Sequence, residues 1–294
     1  MNLTSLVRIR HDTRYQYAEP VTFHPHRLVL RPREGHDLRV EQMELTTQPA
    51  SRVFWSRDIF GNLIAHAHFD QPATELLIRS NVLVRRFVDD AAAPVPQITG
   101  NTHPMEYEEM ERAMTTPYLT PVYPEDTAVV KEWIADHEPP TAFDSADAYV
   151  LHLVTKLKAT MQYQRREQKG VQSPATTLTL KSGSCRDQAT LLMEALRHLG
   201  IASRFASGYL DCAATRAAQG STHAWTEVYF PQLGWRGFDP ITGDRCGPRH
   251  IVTGTSHHPR GVMPVSGRYS GPSTAFLGMW VTVEIGADTG SEGR

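Results

Sequence analysis

"LKSGSCRDQATLLMEALRHLG", residues 180–200, is the stretch on which the reading of this chain turns. Small and polar residues lead into Cys185, and a periodic apolar run follows it. Ala189, Leu192, Leu196 and Leu199 recur at helical spacing, with Met193 and Ala195 beside them. Gly200 stands where such a helix would end. Ser184, followed three residues later by Asp187, reads as a capping box. Cys185 therefore falls in the first turn of a helix, where unpaired backbone N–H groups and the positive end of the helix dipole suit a nucleophilic sulfur. The same N–H groups can hold an oxyanion formed at an attacked carbonyl. Gly183 lets another backbone come close. A buried free cysteine is also a common structural residue, so the catalytic reading requires a base.

"STHAWTEVYFPQLGWRGFDPITG", residues 221–243, supplies one. Alternation puts His223, Trp225, Glu227 and Tyr229 on one strand face, and Ala224, Thr226, Val228 and Phe230 on the other. With Pro231–Leu233 as the turn, Phe230 pairs with Gly234 and Trp225 faces Asp239. His223 then becomes a diagonal neighbour of Asp239 on the same face. A slip of one residue would separate the two. In the chosen register Cys185, His223 and Asp239 form a nucleophile, a general base and an orienting carboxylate. Trp225 beside the histidine reads as a wall of the cleft that excludes water, or as plain core.

The rest of the chain frames this core. Residues 1–90 carry short runs rich in Val, Ile, Leu and aromatics: "LVRIRHDTRYQY", "RLVLRP", "RVEQMELTT", "RVFWSRD", "IAHAHF" and "ELLIRSNVLVRRFV". They predict an antiparallel, sandwich-like β domain. Residues 91–103, within a stretch rich in Pro, Ala and small polar residues, read as a linker. Residues 104–286 read as the core, with helices in "PEDTAVVKEWIADHE" and "DSADAYVLHLVTKLKATMQY", a polar loop over 163–182, and a last strand in "MWVTVEI". Residues 287–294 read as a flexible tail. The fold class is α+β.

Composition excludes several functions. Thirty basic and 32 acidic residues leave a net charge of −2, which gives no footprint for nucleic acid or an anionic membrane. The hydrophobic fraction of 40% is that of a globular protein with a sizeable core. The N-terminal residues lack a signal-peptide core, and the apolar run near the C-terminus is short and contains Glu284, so a cytoplasmic location is expected. Three cysteines make no disulfide framework. Cys212, in a polar loop, and Cys246 read as incidental thiols. The histidine pairs at 24/26, 66/68 and 257/258 have no Cys or carboxylate spaced to complete a metal site, so neither metal nor cofactor is expected. Arg186 and Asp187 read as ion-pair and cap residues.

At "GSCRDQATLLMEALRHLGIASRFASGYL", "THAWTEVYF" and "GWRGFDP" the sequence resembles the transglutaminase-like superfamily. The stretches "YQYAEPVTFHPHRLVLRPREGHDLRVEQMELTTQPA", "RDIFGN" and "HIVTGTSHHPRGVMPVSGRYSG" resemble the flanking segments of its bacterial subgroup. The resemblance implies a papain/transglutaminase-like core, with the nucleophile at a helix start packed on an antiparallel sheet. It places the nucleophile at Cys185, the base at His223 and the orienting acid at Asp239. It implies peptidase- or amidase-like chemistry on a protein or peptide, with glutamine–amine crosslinking or a non-catalytic binding role as alternatives. The sequence departs from the eukaryotic crosslinking enzymes in two places: Arg186, not Trp, follows the cysteine, and no Trp lies in the stretch 161–178. The Cys185 backbone N–H is therefore the first oxyanion donor, and Tyr163, Gln164 and Gln172 are candidates for the second.

Overall fold

The structure, a computed structural model, describes residues 3–88, 105–166, 168, 170–231 and 233–288. The N-terminal part is made of β1 (Leu3–Phe23), β2 (His26–Leu28), β3 (Leu38–Gln48), β4 (Ser51–Arg57), β5 (Leu63–Phe69) and β6 (Ala73–Val88). The helical part follows: α1 (Glu109–Leu119), α2 (Thr127–Ala135), α3 (Ala146–Thr160), β7 (Gln162–Tyr163), α4 (Pro174–Leu180), β8 (Ser182–Gly183) and α5 (Cys185–His198). Last come β9 (Ser203–Leu210), α6 (Ala213–Arg216), β10 (His223–Phe230), β11 (Gly234–Asp239), β12 (Asp244–Arg245), β13 (His250–Ser256), β14 (Val265–Ser266), β15 (Tyr269–Ser270) and β16 (Phe276–Ala287).

The fold is α+β, an N-terminal β domain followed by a core of helices packed on a second antiparallel sheet. Two antiparallel sheets face each other in the β domain, β15-β1-β6-β3 and β14-β2-β5-β4. Tyr17, Phe23, Leu28, Ala65, Leu76 and Ile78 fill the space between them. The alternation read in "LVRIRH" holds: Val7, Ile9 and His11 are buried on one face of β1.

The last strand corrects an expectation. Assigned to the core, β16 instead pairs with β1 of the β domain along Val7–Tyr17. The core sheet, β12-β11-β10-β9-β13, is complete without it, whereas β1 would otherwise present an unpaired edge to water. Val283 and Ile285 of β16 join Val7, Ile9, Val82 and Val84 in one apolar cluster with Tyr209 and Ile251 of the core sheet. The two parts are thus locked by shared core. His11 adds a buried polar tie: its Nδ1 meets the Tyr209 hydroxyl at 3.0 Å and its Nε2 the Thr13 hydroxyl at 2.8 Å. Burial lowers the pKa of that imidazole to about 4. The expected linker, 91–103, lies outside the described residues. Of the expected tail, Ala287 closes β16, and Asp288 donates its N–H to the Leu6 carbonyl. Its remaining residues lie outside the described ones.

The helix α5 is the hub of the core. Every residue from Asp187 to Arg197 is buried, so it is packed all round. Leu191, Leu192, Ala195 and Leu196 meet Tyr149, Leu153 and Leu157 of α3 and Val228, Phe230 and Phe238 of the sheet. Ala189 and Met193 meet Phe205 and Ala224, together with Val29 and Ile64 of the β domain. Gly200, at φ +71°, ends the helix, and the Ile201 N–H reaches back to the Leu196 carbonyl at 2.9 Å. The stretch read as loop, 163–182, contains α4. Ser173 caps it by accepting the Thr176 N–H, and Pro174 opens it, but its run of threonines carries no apolar helical period.

Candidate active site

The N-terminus of α5 is held from both sides. Asp187, fully buried, accepts the Ser184 N–H at 2.8 Å and the Ser184 hydroxyl at 2.7 Å, which realises the capping box. Its other contacts are Arg166 at 2.8 Å and the Gln172 N–H at 2.8 Å. Arg186 donates to the carbonyls of Arg166 and Gln168. Asp187 and Arg186 are therefore anchors: they tie the segment after β7 against the first turn of α5. A Cβ on Gly183 would stand 2.9 Å from both Asp187 Cβ and Gln172 Oε1, so the approach requires glycine.

The hairpin β10–β11 has the register read from sequence. Phe230 pairs with Gly234, and the ladder runs to Thr226–Phe238. His223 Nε2 lies 2.8 Å from Asp239 Oδ2. The Cys185 side chain neighbours this imidazole and helps to raise its pKa. Asp239 is fully buried, and its Oδ1 accepts the Ile241 N–H at 2.9 Å. Burial acts to lower the His223 pKa, but the bonds to Asp239 and Cys185 outweigh it and raise the value to about 10. Burial acts to raise Asp239, and the hydrogen bonds from His223 and His250 outweigh it, so the carboxylate is held far below its usual range. Cys185 at the start of α5, the His223 imidazole and the Asp239 carboxylate that holds it thus stand together.

A fourth residue, absent from the sequence reading, joins the line. His250, the first residue of β13, brings its Nε2 to 3.1 Å from the same Asp239 Oδ2. The segment 244–250 crosses the sheet face to reach that position. Gly237 makes room: a Cβ there would stand 2.7 Å from Cys246 Cβ and 3.2 Å from the Trp225 ring. Trp225 lies under the crossing, 1% exposed, edge-on to His250 at 5.2 Å. It was expected as a cleft wall; it backs the His223 ring from inside the core instead.

Residues 7–85 match the bacterial transglutaminase-like N-terminal region, and residues 128–240 match the transglutaminase-like superfamily core. The chain belongs to the transglutaminase-like superfamily. An uncharacterized protein of Mycobacterium leprae is 27% identical over 286 residues, which cover 95% of this chain and 98% of the relative. An uncharacterized Mycobacterium tuberculosis protein is 27% identical over 291 residues, covering 90% and 87%. Among solved structures, a candidate cysteine protease from Cytophaga hutchinsonii superposes with a TM-score of 0.73 at 18% identity, covering 98% of this chain and 92% of that one, which shows the shared fold. Membership in this superfamily supports cysteine-dependent chemistry. Among the described residues no helix is long and apolar enough to cross a membrane.

For a transglutaminase-like site the second oxyanion donor is the open position. Tyr163 sits on β7, paired in parallel with Gly183 of β8, two residues before Cys185. It is half exposed, and burial together with the nearby Cys185 sulfur raises its phenol, which keeps the hydroxyl proton in place for donation. Gln172 is engaged locally, its Oε1 accepting the Thr177 hydroxyl at 3.5 Å. Gln164 accepts the Ser182 hydroxyl at 3.4 Å.

The other two cysteines make local structural contacts. Cys212 caps α6, with the Thr215 hydroxyl 3.7 Å from its sulfur. Burial would raise that thiol, but the N–H groups of Thr215 and Ala214, the Thr215 hydroxyl and the His223 charge lower it. Cys246 packs over Gly237, and burial raises its thiol well above the ordinary value. His223, Asp239 and His250 also place one donor atom each within 4.8 Å of one another, a group the histidine pairs in the sequence did not announce. A metal does not fit this set. The Gly247 N–H donates to His250 Nδ1 at 3.2 Å, so the ring proton sits on Nε2, the atom that would have to bind the metal.

Proposed function

We propose that the protein is a cysteine-dependent acyl-transfer enzyme that cleaves amide or peptide bonds, with Cys185, His223 and Asp239 as its triad. One observation carries this reading: Cys185, at the start of the central helix, neighbours a His223 whose imidazole is held at 2.8 Å by the buried Asp239 carboxylate. His223, whose raised pKa leaves it charged at neutral pH, holds the proton of the Cys185–His223 pair, and the sulfur adds to the substrate carbonyl. The oxyanion is received by the Cys185 N–H and the Tyr163 hydroxyl. His223 then gives its proton to the leaving amine, and a thioester remains on Cys185. Water, deprotonated by His223, adds to the thioester and releases the acid and the thiol. Asp239 holds the imidazole in the required tautomer and stabilises its charged form. Hydrolysis is the default outcome, since a half-exposed Tyr163 leaves the sulfur's surroundings open to water. The substrate is a protein or peptide. Three unpaired thiols fit a reducing, cytoplasmic setting, and cell fractionation tests that location.

The test is turnover of a fluorogenic peptide library by the wild-type protein and by Cys185→Ala, with a labelled amine present. Loss of turnover in the variant, with free acid as the product, supports hydrolysis. Labelled product assigns amine transfer instead. Turnover that survives in Cys185→Ala overturns the proposal.

A further inference from the structure

We infer that His250 is a positioning residue of this site, a fixed N–H donor that locks the Asp239 carboxylate in the orientation His223 requires. The inference rests on the triad reading above and extends it. Two features of the site carry it independently of each other.

The first is the division of labour on the carboxylate. Oδ1 takes the Ile241 N–H at 2.9 Å. Oδ2 takes both His223 Nε2, at 2.8 Å, and His250 Nε2, at 3.1 Å. With Ile241 and His223 alone the carboxylate can rock about its Cβ–Cγ bond. A third donor from a separate strand removes that freedom. Pre-organised orientation of this kind is what sets the alignment of a general base.

The second is the direction of the His250 proton. The Gly247 N–H can only donate, and it points at His250 Nδ1 at 3.2 Å. Nδ1 is therefore an acceptor, and Nε2 carries the proton toward Asp239. His223, by contrast, has the Cys185 side chain as its neighbour. The two imidazoles share one carboxylate but differ in what stands behind them: a sulfur behind His223, a backbone N–H behind His250. The ring of His250 is also clamped edge-on against buried Trp225, which holds the donor in place. Cys246, another ionisable group near Asp239, is partly buried, and its thiol is raised well above the ordinary value.

Iodoacetamide labelling of Cys185 at pH 7, read by peptide mass spectrometry, tests the inference in wild type, His250→Leu, His250→Gln and His223→Ala. His250→Leu is expected to slow labelling about tenfold, in line with the loss of one hydrogen bond to a charged group. His250→Gln, whose amide N–H occupies the place of Nε2–H, is expected to recover the rate to within about threefold. Circular dichroism of each variant reports the fold. If His250→Leu alters the spectrum, the Gln variant and ¹⁵N NMR of wild-type histidines decide. The expected spectrum has His250 Nε2 protonated and Nδ1 bare. A wild-type rate in intact His250→Leu, no recovery in His250→Gln, or a proton on His250 Nδ1 overturns the inference and leaves the triad standing. An unchanged rate in His223→Ala overturns the triad reading, and the inference with it.

Discussion

Two cysteines stand at helix starts near His223, and only one is placed to act as a nucleophile. Cys185 opens a 14-residue helix whose next turns are buried on every side. Its sulfur faces the imidazole, and its first turn is clamped by Asp187. Cys212 caps a helix of four residues, and its sulfur is consumed by that cap. Its thiol is lowered all the same. A helix start and an easily ionised thiol are therefore insufficient. What separates the two is a sulfur free of local hydrogen-bond duties, turned toward a base that a carboxylate holds in place.

Five substitutions or conditions break or sharpen that contrast, here in falling order of effect. Cys185→Ala should lower turnover at least about 10⁴-fold, since removing the nucleophile of a triad leaves only binding and oxyanion contributions, while Cys212→Ala should leave it within about twofold. A peptide assay on both variants checks this; equal losses would erase the distinction. Asp239→Asn should cost roughly 10³-fold in turnover by allowing the wrong His223 tautomer, with the far-ultraviolet spectrum unchanged. Asp187→Ala should destabilise the protein by about 3 kcal/mol, because it strands Arg166 and releases the α5 cap; urea melts measure it.

The fourth is a pH effect. A histidine whose folded pKa lies above its unfolded one adds stability that is complete below the unfolded value and is lost as the pH rises through the folded value. For His223 that window runs from about 6.5 up to about 10. The gap in melting temperature between wild type and His223→Ala should therefore narrow from pH 6 to pH 10. A constant gap would mean that His223 is not held charged by its partners. The smallest effect is the most local: Thr215→Val should slow iodoacetamide labelling of Cys212 by about threefold, through loss of one hydrogen bond to sulfur, and leave Cys185 untouched.

Much of the site was legible because its parts are local. The cap Ser184–Asp187, the apolar stripe of α5 and its glycine stop lie within one short stretch. The three-residue turn is one choice among those the sequence allows, the one that brings His223 and Asp239 onto one face, and β10–β11 adopts it. Those rules placed Cys185, His223 and Asp239. The histidine pairs drew attention in the sequence by being adjacent, yet His66 stacks on exposed Phe54 while the solitary His250 reaches the site. Trp225 was placed on the correct face, but alternation cannot say that the 244–250 crossing would cover that face. The helix α4 stayed hidden because capping, not amphipathic burial, defines it.

By itself, then, the sequence determined the elements whose signals are local: the nucleophile's helix, the base's hairpin and the β character of the first 90 residues, each written in periodicity, caps and turns. Only the tertiary structure decided three other things. It joined β16 to β1, because an open sheet edge takes whichever strand matches its apolar face. It buried Trp225 beneath a crossing segment, because Gly237 leaves space there. It carried His250 to Asp239 from a separate strand of the sheet. Pairings of that kind depend on which surfaces meet after the chain has folded back on itself, and no local pattern in the sequence encodes that distance.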